Sequence, residues 1–267
     1  MKKIPKWRTD KKWALRMAKK KGQRLPEVEH LFEEDPNYCL SYAKHVLKGR
    51  LPEKLEASFA EILSKLQGRD VTHHLVSYSD IVKRLPDNLE RMFTEAVKDH
   101  IKNPYGWGVG RCVKYIKNCE GRVSPELEHL FWDNNNTAFT YSTTSNTRIP
   151  DEYEEDRVRN FEPDEFVAYA KKIFKGRMPE HLEAVMIDNI DLIQGYAEHI
   201  MFGQLPEKIH TAMIMKSFGE NDNSTIAHYL RFVKGSKNYA IGFLSAFDKT
   251  TTVQEVLDKL GEIEVSD

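Results

Sequence analysis

Between Asp35 and Gly49 the apolar residues fall at Cys39, Tyr42, Ala43, Val46 and Leu47. These i, i+3, i+4, i+7 and i+8 positions form one stripe of an amphipathic helix. Asp35 followed by Pro36 supplies an N-cap oxygen and then a residue preset for the first turn. Lys48 complements the negative end of the helix, and Gly49 is expected to take the left-handed conformation that closes it. Pro52 then opens a second helix, with Glu53 in its first turn and Leu55, Phe59, Ile62, Leu63 and Leu66 along one side. The pattern predicts a short helical hairpin whose arms are about 15 to 20 Å long at 1.5 Å per residue.

The hairpin recurs. DPNYCLSYAKHVLKGRLPEKLE (Asp35 to Glu56) returns 127 residues later as EPDEFVAYAKKIFKGRMPEHLE (Glu162 to Glu183), with 11 of 22 positions identical. Phe166, Tyr169, Ala170, Ile173 and Phe174 repeat the apolar stripe. The hinge proline of the unit can be followed through Pro26, Pro52, Pro86, Pro125, Pro150, Pro179 and Pro206, at intervals of 25 to 39 residues. Sequence self-similarity of this kind marks units that cannot bury their apolar faces alone and must stack on their neighbours. The expected fold is all-α, a helical-hairpin repeat array (α-solenoid) of about seven degenerate units. HYLRFVKGSKNYAIGFL after the last hinge reads as a terminal cap, and Thr252 to Glu255 as a capping box opening the last helix.

The pattern lapses once. Residues 133–160, DNNNTAFTYSTTSNTRIPDEYEEDRVRN, are polar and show no apolar helical period before Pro150. They are expected to form an irregular insertion between an N-terminal repeat block (1–132) and a C-terminal block with its cap (161–267). Long insertions in compact arrays often carry contacts. Trp132, Phe139 and Tyr141, with the acidic Asp151, Glu152, Glu154 and Glu155, are therefore candidate partner-binding residues.

The net charge of −1 hides a strong asymmetry, because residues 1–24 carry +10 and leave −11 for the remainder. Cations interleaved with Trp7 and Trp13 suit phosphate contact and base stacking. A nucleic-acid surface would use Lys11, Lys12, Arg16, Lys19, Lys20 and Lys21 with the hinge arginines Arg24, Arg50 and Arg177. The competing reading ties each hinge arginine to a nearby acid, Glu53 or Glu56 in one copy and Glu180 or Glu183 in the other, so that it sets register between units. Cys39, Cys112 and Cys119 show neither disulfide arithmetic nor zinc spacing. No apolar run is long enough for a membrane span and no signal-peptide core is present, so a cytoplasmic protein without a membrane partner is expected. NPYGWGVGR (Asn103 to Arg111) lacks the preceding strand and the lysine of a phosphate loop and reads as a modified helix start. His73 and His74 are adjacent and face different directions on a helix. No catalytic residue, metal site or cofactor is expected, and an enzyme is not.

The unit YAKHVLKGRLPEKLE, preceded by Asp-Pro, resembles a tandem repeat in proteins of tailed bacteriophages with a Tyr-Ala pair and a Gly-Arg-x-Pro-Glu hinge. The likeness spans Arg24 to His210 and is sharpest over Tyr42 to Glu56 and Tyr169 to Glu183. It implies an accessory phage protein in the host cytoplasm that binds or inhibits a host or defence protein. The leading expectation is accordingly non-enzymatic binding of a host or phage protein through an acidic concave surface and the middle segment. Nucleic-acid binding is the alternative. The basic end and acidic body also suggest self-association.

Overall fold

The computed structural model describes residues 6–102, 106–202 and 205–211. The expected terminal cap and capping box, with Asn103 and Pro104, lie outside them. The chain divides into two compact units, Met1–Ser145 and Asn146–Asp267. Every regular element in the described residues is helical, and none is long and apolar enough to cross a membrane.

The first unit contains α1 (Lys11–Lys21), a 3-10 turn (Pro26–Leu31), α2 (Pro36–Tyr42), α3 (Glu53–Ser64), α4 (Gly68–Val82), α5 (Asp87–Val97), α6 (Trp107–Cys119), α7 (Pro125–Phe131) and α8 (Asn135–Ser145). α4 packs on α2, α3, α5 and α6, while α1 packs on α2 and α6 on α8. The second unit contains α9 (Asp151–Arg159), α10 (Pro163–Tyr169), α11 (Glu180–Val185) and α12 (Ile190–His199), with α9 against α11 and α10 against α12. The apolar stripes of the two sharp copies are inside: Cys39, Tyr42, Ala43 and Val46 are buried, as are Phe166, Tyr169 and Ala170. Asp35 caps α2 by accepting the Asn37 amide proton, as expected.

The end of the first arm differs from expectation. α2 and α10 run directly into single π-helical turns, Ala43–Leu47 and Ala170–Phe174. Each wide turn closes on a lysine one residue ahead of the glycine. Lys48 (φ 52°) and Lys175 (φ 57°) take the left-handed conformation that Gly49 was expected to supply. The amides of Lys48 and Gly49 both donate to the Ala43 carbonyl, which terminates the helix.

The middle segment is also corrected. Residues 133–160 are not an irregular insertion: α8 completes the first unit and α9 begins the second. The Asn134 side chain accepts the amide protons of Asn136 and Thr137 at 3.0 and 3.4 Å, starting α8. Thr137, Ala138, Tyr141 and Ser142 are buried, so the inward stripe has helical period but is written largely in hydroxyl residues. Several hydroxyls of this helix bond to nearby carbonyls. The Thr137 hydroxyl donates to the Phe131 carbonyl at 2.7 Å, and the Thr143 and Ser145 hydroxyls bond back to the Phe139 and Tyr141 carbonyls.

Candidate binding surface

The hinges determine which charged residues remain for binding. At the second hinge, Arg50 forms a two-pronged pair with Glu56, Nε at 2.9 Å and Nη2 at 2.7 Å. The Tyr78 hydroxyl, from α4, donates to the same carboxylate at 3.0 Å and accepts the Leu51 amide proton at 2.8 Å. A tyrosine of the following helix thus fastens the preceding hinge. Arg24, Glu29, Tyr42 and the Leu25 amide form the same lock, as do Arg177, Glu183, Tyr196 and the Met178 amide. Arg148, Glu154, Tyr169 and the Ile149 amide complete another. The shared feature is a carboxylate, buried at Glu56, Glu154 and Glu183 and partly buried at Glu29, which receives charge-assisted bonds from an arginine and a phenol.

Two hinges vary the plan. Glu90 accepts from Tyr115 at 2.6 Å, but Arg84 lies 3.9 Å from Asp87 instead, and the Ser124 amide supplies the second donor at 2.9 Å. Arg122 bonds to the Cys119 carbonyl and to Glu120, while Tyr141 sits against Glu128. The hinge phenols of the first unit also pack on phenylalanines: Phe32 with Tyr42, Phe59 with Tyr78, Phe93 with Tyr115 and Phe131 with Tyr141, at ring centroid separations of 4.9 to 5.5 Å. Burial pushes the Tyr42 hydroxyl up to about 12, and drives those of Tyr78, Tyr115, Tyr169 and Tyr196 up as well.

This geometry removes several candidate contacts. Trp132, Tyr141 and Glu154 are buried, Glu154 within the fourth lock described above, so they face the interior and not a partner. Phe139 is half-buried. Asp151, Glu152 and Glu155 stay exposed on α9, with Asp151 3.1 Å from Arg148 and Glu155 3.0 Å from Arg159. Among the nucleic-acid candidates, Arg24, Arg50 and Arg177 are held by their glutamates, and Lys11 reaches Asp35 at 2.8 Å while covering the Tyr38 ring. Lys12, Arg16, Lys19, Lys20 and Lys21 remain exposed on α1. The rings expected to stack on bases already carry cations: Lys6 and Arg16 over Trp13, and Arg8 and Lys21 over Trp7.

A groove of about 700 Å³ lies beside α1, between the end of α2 with its π turn and α4. Lys44, His45 and Lys48 stand exposed along it, and Leu40 and Ile81 give it apolar walls. Partial desolvation, followed by the charges of Lys19 and Lys44, holds the His45 imidazole below its ordinary value. Lys19 therefore extends the positive field of α1 to the groove. The sequence carried a signal for these residues, because the sharp copies share basic residues at 44, 45 and 48 and at 171, 172 and 175. No known protein family, curated protein or solved structure matches this chain.

Proposed function

We propose that this chain is a non-enzymatic helical-repeat protein that binds another protein, in keeping with the accessory, inhibitor-like role that the phage-type repeat implies. The observation that carries the reading is the division of labour among its charges. The arginines, glutamates and phenols of the hinges are turned on one another and make a stiff scaffold. The lysines of α1 and of the first π turn face outward with no carboxylate partner among the described residues, Lys11 excepted. Fixed charges on a preorganised surface select a partner by complementarity and speed encounter.

The five cations of α1 that have no carboxylate partner among the described residues support a second reading, nucleic-acid binding, on a narrower footprint than the sequence suggested. Affinity capture from host lysate, with and without nuclease, separates the two. A stoichiometric protein that survives nuclease is the expected result. Recovery of nucleic acid, with all proteins lost after nuclease, would overturn the protein-binding reading.

A further inference from the structure

We propose that the groove between the end of α2 and α4 is where the first unit receives its protein partner, and that the partner presents a short acidic segment bearing an aliphatic side chain. This rests on the protein-binding reading and names the partner's chemistry. Lys44 and Lys48 line the groove, and among the described residues neither has a carboxylate partner. The one acid in the lining, Asp80, is already held by Lys114 at 2.7 Å and by the Asn118 amide at 2.8 Å. The lining therefore offers uncompensated positive charge to an incoming carboxylate. Ser41 and Ser77 add hydroxyls, and Leu40 and Ile81 supply aliphatic surface that an extended charged chain alone would leave wet. The volume falls within the range of about 300 to 1,000 Å³ typical of ligand clefts.

A single-stranded nucleic acid fits less well. It needs a continuous cationic track and flat rings for its bases. No Trp, Tyr or Phe lines the groove, and the chain beyond residue 24 carries −11. The acidic-aliphatic segment uses both the charge and the apolar walls.

His45 gives the site a signature of its own. The charges that bear on it are Lys19 from α1 and Lys44 from its own segment, while Lys48 and Asp80, the latter paired with Lys114 of α6, line the same groove. A bound carboxylate opposes the lysine fields and favours the imidazolium, so binding takes up a proton and tightens as pH falls through the histidine range.

The test is fluorescence anisotropy on the full chain with three labelled probes: a glutamate-rich peptide containing leucine, a peptide of glutamate alone, and a thymidine oligonucleotide. The leucine-containing peptide should bind most tightly, and Lys44→Glu with Lys48→Glu should weaken it by about tenfold or more with helical content unchanged. His45→Ala should remove the pH dependence of peptide binding. Equal peptide affinity in the double variant, or tighter binding of the oligonucleotide through the same lysines, overturns the proposal. Capture of a host protein by wild type and double variant alike overturns the groove alone and leaves the protein-binding reading standing. Capture of nucleic acid only removes both.

Discussion

The Tyr78 hydroxyl lies 2.8 Å from the amide nitrogen of Leu51, 27 residues earlier in the chain. Leu51 follows the hinge arginine and cannot pair its N–H within either arm of its own hairpin. The phenol from the next helix accepts a hydrogen bond from that N–H and donates its own O–H to Glu56. One buried residue therefore satisfies a backbone donor and a carboxylate together, which makes stacking of a neighbour a condition for satisfying the hinge.

Removing that hydroxyl while keeping the ring isolates its contribution. Tyr78→Phe and Tyr196→Phe should each cost about 1 to 3 kcal/mol, because a buried amide loses its acceptor while the packing stays. Tyr38→Phe, at a half-exposed ring outside any lock, should stay within about 0.5 kcal/mol. Urea unfolding followed by circular dichroism measures all three.

The arginines should divide into two classes. The Glu56 side chain is 6% exposed and receives both prongs of Arg50, whereas Arg84 only approaches the solvent-facing Asp87 at 3.9 Å. Because the Arg50 side chain is itself 64% exposed, solvent screening reduces its contribution. Arg50→Ala should cost about 1 to 2 kcal/mol and Arg84→Ala less than about 0.5. Equal losses at the two hinges would show that the arginines act through general charge and not through the buried glutamate.

The hairpins and their hinge proline were legible because each is written in local chemistry: an apolar period, a cap, a glycine or proline. The choice of Glu56 over Glu53 was not, since both follow the proline and only the incoming phenol distinguishes them. Tyr42 and Tyr169 were read as apolar stripe residues, which describes their rings but omits their hydroxyls. α8 escaped because its buried face uses Ser142 and Thr137, the latter bonding to the Phe131 and Asn134 carbonyls; a count of apolar residues misses such a stripe. Glu154 and Tyr141 were assigned to a contact surface for the same reason, as a segment read as a loop has no interior to put them in.

Backbone strain at the helix ends offers a separate check. Lys175 holds φ 57°, a conformation that costs a residue with a Cβ about 1 to 2 kcal/mol. Part of the relief is returned as lost chain entropy when glycine replaces it. Lys175→Gly should therefore stabilise the protein by about 0.5 to 1 kcal/mol. Gly121 shows the opposite case, with φ 73° and a Cβ position 2.5 Å from that of Ser145 on α8. Gly121→Ala should destabilise by more than about 1 kcal/mol, and thermal unfolding of both variants gives the two signs.

Alkaline pH should undo the locks together. A phenol is neutral when protonated, and burial raises the folded-state value of the lock tyrosines above 10.0, to about 12 for Tyr42 and upward for Tyr78, Tyr115, Tyr169 and Tyr196. The unfolded chain releases these protons first. Their stabilisation is therefore complete below pH 10 and falls as pH rises from there toward the folded values, by about 1.4 kcal/mol per pH unit for each phenol still protonated in the fold. Five such groups make the decline steep, and the chain should unfold before its buried phenols ionise in place. Tyrosinate absorbance and loss of helical circular dichroism should then rise in one coincident transition between pH 10 and 12. Tyr78→Phe should make that transition shallower as well as lowering stability at neutral pH. Ionisation of these tyrosines with helicity intact would show that the hydroxyls are reached by solvent and do not fasten the hinges.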